Sequence, residues 1–173
     1  MDFFTEHIVK QKKSPKVILA AAGMVLLTLS VWYFSLILIA NPMLSGIGGL
    51  IDMGMVYFTY IVITSFNIEY EYIATNTELD IDKIINRRKR KRILSLRLSE
   101  IELMAPVGYS ELLSQENGNF AKVHMAAIEQ NHPDAYYIIY EKNGEKNKLI
   151  FNPTDKIIEY AKRMASSKVY IKA

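Results

Sequence analysis

The densest group of side chains able to do chemistry is a run of six consecutive cations, Arg87, Arg88, Lys89, Arg90, Lys91 and Arg92. Clustered guanidinium and ammonium groups attract anions, so the run could contact anionic lipid headgroups, an acidic protein surface or nucleic acid. Aromatic side chains, on which unpaired bases stack, do not interleave it, which makes nucleic acid the least favoured of these. The run could also act only as a signal that orients a membrane protein.

The sequence contains no recognisable catalytic motif. It lacks cysteine, which excludes disulfides, thiol catalysis and Cys-ligated metal sites. Its three histidines, His7, His124 and His132, are scattered, and no H-E-x-x-H, G-x-S-x-G or phosphate-binding glycine loop occurs. We therefore expect a protein that is not an enzyme, with no catalytic residues, no metal site and no cofactor.

The acids Asp80 and Asp82 could have either of two roles. Asp80 and Asp82 lie on the same face of a predicted strand, and two such carboxylates could hold a divalent metal. More often a pair of this kind offsets cations on the neighbouring strand, here Arg90 or Arg92. We favour the second interpretation.

Two long apolar segments must position these groups. Residues 17–40 carry no charge, and residues 46–68 carry only Asp52. At about 1.5 Å per residue each segment reaches roughly 35 Å, which exceeds a hydrocarbon core of about 30 Å. We predict two transmembrane helices joined by a short external turn. A cleaved signal peptide is the alternative, but the first segment is long for one, and Leu38-Ile39-Ala40 lacks the usual small residue.

Charge asymmetry sets the predicted orientation. Four lysines, Lys10, Lys12, Lys13 and Lys16, precede the first segment, whereas residues 41–45 carry none. The positive-inside rule therefore predicts a multi-pass protein of the cell membrane with both termini in the cytoplasm. The predicted domains are a basic leader at 1–16, a membrane hairpin at 17–68 and a cytoplasmic domain at 69–173. Within the leader, residues 1–13 form either a short amphipathic helix at the membrane surface or a frayed segment.

Asp52 allows two interpretations. Intramembrane acids often serve transport, a role that would rest on Asp52 and Tyr57. Tyr57 and Tyr60 lie on one helix face, where we expect them to pack or hydrogen-bond against the first span. However, Asp52 lies only six residues into its apolar segment, where its carboxylate could reach headgroup water. We favour an interfacial acid.

The last 105 residues alternate like strands. Alternating apolar residues predict strands near 69–75, 79–85 and 94–98, with a bend near Ser99-Glu100. Asn143-Gly144 predicts a hairpin between 136–141 and 148–151. Asn152 and Pro153 predict the start of a final amphipathic helix. Residues 108–133 stay ambiguous, with a helical turn possible near 111–114. We expect a membrane α-helical hairpin plus an α+β domain, an antiparallel barrel or sheet capped by a C-terminal helix.

This order of elements carries a resemblance. Residues 71–82 contain a strand and a T-x-x-x-L turn from Thr75 to Leu79, residues 90–94 form a basic hairpin segment, and Leu98-Ser99-Glu100-Ile101 gives an L-x-x-I step. The chain thereby resembles bacterial pleckstrin-homology-like (PH-like) domains. With two preceding spans it resembles a family of small uncharacterised Firmicutes membrane proteins, and this resemblance implies a PH-like fold but no activity.

Three functions follow as hypotheses. In the first, the strand at 69–76 runs away from the bilayer and the strand at 79–86 runs back toward it. Residues 87–92 would then lie near the lipid surface, where they contact anionic lipid of the inner leaflet or a protein partner. In the second, the chain is an accessory or scaffold subunit of a membrane complex, or a homo-oligomer. In the third, which is least favoured, it takes part in transport. Nucleic acid is not an expected partner.

Overall fold

The computed structural model describes residues 3–172, which form two compact units. One unit contains the described residues up to Lys12 and those from Ile68 onward, and the other is Lys13–Asn67.

The second unit is a pair of helices, α1 (Pro15–Ile39) and α2 (Ser45–Ser65). Ser14 caps α1 by accepting a hydrogen bond from the Val17 amide, and Pro15 occupies the first helical position. Both helices are long and apolar enough to cross a membrane. None of the most apolar stretch of α1, and only 11% of that of α2, is buried. The pair therefore differs from the buried core helices of soluble domains.

The first unit begins with a four-stranded antiparallel sheet, here called sheet A. Its strands are β1 (Phe4–Lys10), β2 (Ile68–Thr75), β3 (Glu78–Ile85) and β4 (Lys89–Arg97), in that spatial order. One face carries the buried side chains, among them Tyr72, Ile81 and Leu96. Because successive residues of a strand point to opposite faces, the alternate positions form an outer face rich in charge.

The predicted amphipathic helix or frayed segment at residues 1–13 is wrong for residues 4–10, which form a strand. Residues 1 and 2 lie outside the described part of the chain. Residues 4–10 form β1, which pairs with β2 from Phe4↔Thr75 to Lys10↔Glu69. The side chains alternate with the period of a strand, so that Val9 is 5% exposed and Ile8 is 49% exposed. The leader thus belongs to the sheet domain, and α1 and α2 are inserted between two adjacent strands.

A second four-stranded sheet, sheet B, follows a 3₁₀ turn at Leu98–Glu100, which confirms the predicted bend. Its strands are β5 (Ile101–Pro106), β6 (Lys122–Ala126), β7 (Tyr136–Lys142) and β8 (Glu145–Phe151), in the order β5-β7-β8-β6. The predicted Asn143-Gly144 hairpin is confirmed, with both residues at positive φ. The expectation of purely antiparallel pairing is wrong at one place, because β6 pairs parallel to β8.

Two helices belong to this part of the chain. The short α3 (Leu113–Glu116) follows a 3₁₀ turn at Ser110–Leu112, close to the predicted helical turn. The final helix, α4 (Asp155–Met164), starts later than predicted, with Thr154 at the N-cap position. Asn152 does not cap it, because its Oδ1 accepts a hydrogen bond from the Ile128 amide instead.

The main core lies between the two sheets and α4. It joins Tyr72, Ile81 and Leu96 of sheet A to residues of sheet B such as Ile138 and Phe151, and α4 adds its apolar stripe. Two antiparallel-dominated sheets and a C-terminal helix confirm the predicted α+β architecture. Closure of the sheets into a barrel stays a prediction.

A smaller core covers the other face of sheet B and contains a buried cation. Lys148 is 7% exposed, and its Nζ donates to the Glu116 carbonyl oxygen at 2.7 Å and lies 3.8 Å from the Glu116 carboxylate. It also lies 5.1 Å from the Tyr137 ring centroid. Burial lowers the pKa of Lys148. The contact between Lys148 of β8 and Glu116 holds α3 against sheet B.

Candidate functional site

The predicted cationic run forms the tip and first half of the β3–β4 hairpin. Asn86 and Arg87 both have positive φ, and the Arg88 amide donates to the Ile85 carbonyl at 3.1 Å. These angles define a type I′ turn, whose twist suits a hairpin. Arg87 and Arg88 lie in or beside the turn, and Lys89–Arg92 open the edge strand β4.

On the outer face of sheet A the cations are neutralised. Arg90 lies 2.9 Å from the carboxylate of Glu71, and Arg92 lies 2.6 Å from that of Asp80 and also binds Asp82. Arg92 therefore confirms that this acidic pair offsets a cation on the neighbouring strand.

One of these acids is unusually buried. Glu71 is 1% exposed. Burial, followed by a hydrogen bond to Glu6, raises the pKa of Glu71, while the positive charge of Arg90 opposes the shift. The outer-face pairs thus have a structural role: they compensate carboxylates that are shielded from water.

Arg87 is a third paired cation, although a weaker one. Its Nε lies 3.3 Å from the Glu69 carboxylate, and its side chain is 83% exposed. Exposed pairs of this kind are worth about 0–1 kcal/mol. Three of the six predicted site residues, Arg87, Arg90 and Arg92, therefore already have carboxylate partners.

The other cations form a different group, which we call the free cation group: Lys83, Arg88, Lys89 and Lys91. Lys83 lies directly opposite Lys91, and Lys89 lies two residues before Lys91 on the same face. Within residues 3–172 no ion pair involves any of the four side chains. Like charges directly opposite each other are destabilising, and an external anion would relieve them.

Lys83 was missed by the sequence analysis because it lies outside the run. Only the strand register brings it opposite Lys91, and a register error of one residue would place it on the other face. The role of residues 87–92 in binding stays a prediction, but their geometry divides them into paired and unpaired cations.

The register also places the free cation group at one end of sheet A. Ile85 pairs with Lys89 and with Ile68, and Lys10 lies opposite Glu69 on the next strand pair. The chain passes from Lys10 to α1 through residues 11–14, and from α2 to Ile68 through Phe66 and Asn67. Both covalent connections to the helices therefore start at the end of the sheet that carries the cationic turn.

A separate cleft of about 690 Å³ lies beside β1 and the start of α4. Its polar lining includes the imidazoles of His7 and His132, the carboxylates of Asp155 and Glu159, and the ammonium group of Lys172. Because its charges have both signs, the lining alone does not indicate the charge of a ligand.

Comparison with known proteins gives one family. The model of the family described as "Bacterial PH-like domain (DUF6106)" matches residues 1–171. No curated protein and no solved structure gives a significant match.

Proposed function

Starting from the fact that this chain belongs to the bacterial PH-like domain family DUF6106, we propose that it is a non-enzymatic membrane protein whose PH-like domain contacts anionic lipid. Helices α1 and α2 anchor it, and the free cation group provides the contact. The observation that carries the proposal is the placement of four cations at the sheet end where the chain enters and leaves the helices, none of them with an acidic partner among residues 3–172.

Several features support a membrane anchor. The 25 residues of α1 and the 21 residues of α2 extend about 37 Å and 31 Å, which matches a hydrocarbon core of about 30 Å. Their large apolar side chains are exposed along both helices, for example Leu19 at 75% and Leu50 at 71%. In water such a surface would be an aggregation hazard.

The position of β1 argues against a cleaved signal sequence. Cleavage after α1 would remove β1 and expose the edge of β2, together with the core position that Val9 fills. An exposed strand edge invites aggregation. Because α1 and α2 lie in the sequence between the paired strands β1 and β2, the fold favours a permanent anchor over a cleaved segment.

The same insertion supports the proposed topology. Because β1 and β2 are adjacent strands of one sheet, the residues before α1 and after α2 belong to one folded unit. Two spanning helices would return the chain to the side on which it started. The lysines before α1 then favour the cytoplasmic side, through the positive-inside rule.

The electrostatic gain is modest and salt-dependent. Each cation near an anionic leaflet contributes about 1 kcal/mol, and the effect fades within a Debye length of about 8 Å at physiological salt. Four unpaired cations thus give at most a few kcal/mol. Arg90 and Arg92 add less, because the carboxylates beside them cancel their field.

A vesicle-binding experiment tests this proposal. A soluble variant is made by replacing residues 12–67 with Asn-Gly, since Gln11 and Ile68 are hydrogen-bonded neighbours and Asn-Gly suits a two-residue hairpin. Co-sedimentation with phosphatidylglycerol vesicles should be lost when Lys83, Arg88, Lys89 and Lys91 become Gln. The matched control changes four other cations, which likewise form no ion pair among residues 3–172, to Gln: Lys122, Lys142, Lys156 and Lys168. Equal binding by both variants would refute lipid contact through the hairpin.

A second candidate function is that of an accessory subunit in a membrane complex. A mainly apolar groove on the helix pair, with the single acid Asp52 in its lining, favours it.

A further inference from the structure

We propose that the α1–α2 pair binds a transmembrane helix of another protein, and that this helix carries one basic side chain that pairs with Asp52. The inference rests on the membrane location proposed above, and it concerns a site separate from the cationic hairpin.

The Asp52 carboxylate is held at one oxygen and unpartnered at the other. Oδ2 accepts a hydrogen bond of 2.7 Å from the Ser35 hydroxyl, and Ser35 is only 3% exposed. Oδ1 is buried and has no hydrogen-bond partner among the described residues. A carboxylate oxygen shielded from water without a donor is costly.

Close helix packing fixes this carboxylate in place. Gly48 lies one turn before Asp52, and a Cβ added at Gly48 would lie 2.7 Å from Ile39 Cγ1 and 3.3 Å from the Ser35 carbonyl oxygen. Only glycine permits this approach, which keeps Ser35 against Asp52. A second tie, a hydrogen bond between the hydroxyls of Thr28 and Thr59, joins the helices farther along.

A groove of about 330 Å³ leads to Asp52. Its walls are mainly apolar and include Leu29, Trp32, Met55 and Val56. The groove is open at the surface of the pair, since Trp32 is 55% exposed and Val56 is 61% exposed. Apolar walls around one acid complement an apolar helix that presents one cation, and intramembrane acids are usually paired in this way.

Charge decides between a second copy of this chain and a different protein. Residues 17–68 contain no lysine, arginine or histidine, so a second copy would bring another Asp52 but no cation. Charge complementarity therefore assigns the groove to a helix of another protein.

The test uses the full chain in nanodiscs, with fluorescence transfer as the readout. The chain has no cysteine, so Met43→Cys gives a single labelling site at a residue that is 92% exposed. The probes are labelled transmembrane peptides of leucine and alanine that carry one Arg, or one Gln, at the depth of Asp52. We expect the Arg peptide to bind the wild-type groove about tenfold more tightly than the Gln peptide, the size typical of a polar contact in a membrane.

Two variants and a third peptide make the result specific. Asp52→Asn should abolish the preference for the Arg peptide while retaining an acceptor for Ser35. Tyr57→Phe removes a hydroxyl from a residue outside the groove and should leave the preference unchanged. A peptide with one Glu at the same depth should bind the wild-type chain more weakly than the Gln peptide, and this comparison tests the charge at Asp52 even if Asp52→Asn fails to fold.

Two outcomes would overturn the inference. One is equal binding of both peptides by the wild-type chain. The other is transfer between labelled chains that depends on Asp52 without any preference for Arg, which would assign the groove to a second copy. Failure of the wild-type chain to enter nanodiscs is seen before any peptide is added, and it would refute the membrane location itself.

Discussion

The assignment of residues 4–10 to β1 predicts opposite tolerance at two neighbouring positions. Val9 is 5% exposed and belongs to the core between the sheets, whereas Ile8 is 49% exposed on the other face. Val9→Thr exchanges a buried methyl group, worth about 0.8 kcal/mol, for a hydroxyl whose burial without a partner costs about 1–3 kcal/mol. We expect a loss of about 2 kcal/mol in the free energy of unfolding.

Ile8→Thr is the matched control. It introduces the same β-branched residue, so strand propensity is nearly constant, and the half-exposed position should lose only about 0.5 kcal/mol. The assay is urea unfolding of the soluble variant in which Asn-Gly replaces residues 12–67. Tyrosine fluorescence can report it, because the single tryptophan, Trp32, is removed with the helices. A frayed leader would leave both variants as stable as the parent, and equal losses at the two positions would contradict the strand alternation.

Two further predictions concern buried charges in the same soluble variant. Because the pKa of Glu71 is raised in the folded state from its ordinary value of 4.5, its contribution to stability is present below that value and is lost as the pH rises through the folded pKa. In urea titrations the stability of Glu71→Gln relative to the parent should therefore increase as the pH rises above 4.5, and a difference that does not vary with pH would contradict this cause. Lys148→Met removes the cation beside Glu116 and leaves the charge of that buried carboxylate uncompensated. Thermal unfolding should show that the free energy of unfolding falls by about 2–4 kcal/mol. Lys146→Met, at a side chain that is 63% exposed, should lower it by less than about 1 kcal/mol. Similar losses at both lysines would refute the role of burial.

Local patterns in the sequence predicted much of this fold. The two apolar helices, the Asn143-Gly144 hairpin and the bend at Leu98–Glu100 depend on residues close together in the chain, and all are present. The family resemblance likewise agrees with the match over residues 1–171.

The missed features depend on distant partners. The strand β1 pairs with residues that follow a long insertion, so its short alternating pattern was equally open to other interpretations. The parallel pairing of β6 with β8 is likewise a tertiary choice. Helix α4 begins later than predicted because the Asn152 side chain accepts a hydrogen bond from the Ile128 amide and does not cap the helix. Local capping rules do not include this distant contact.

The candidate site likewise combines a local feature with a tertiary one. The cationic run was evident from the sequence, but its separation into paired and free cations depends on the register of β2, β3 and β4. That register gives Arg90 and Arg92 their carboxylates, and it places Lys83 opposite Lys91.

Lipid contact by the cationic hairpin is tested most directly by measuring how close the hairpin of the full chain lies to the lipid headgroups. A spin label is attached at Lys89→Cys, or at Lys142→Cys in sheet B as the matched control, and the chain is placed in nanodiscs with a relaxation agent bound to the lipid headgroups. We expect strong relaxation at position 89 in phosphatidylglycerol discs, weaker relaxation in phosphatidylcholine discs, and little at position 142 in either. Equal, weak relaxation at both positions would contradict lipid contact by the cationic hairpin.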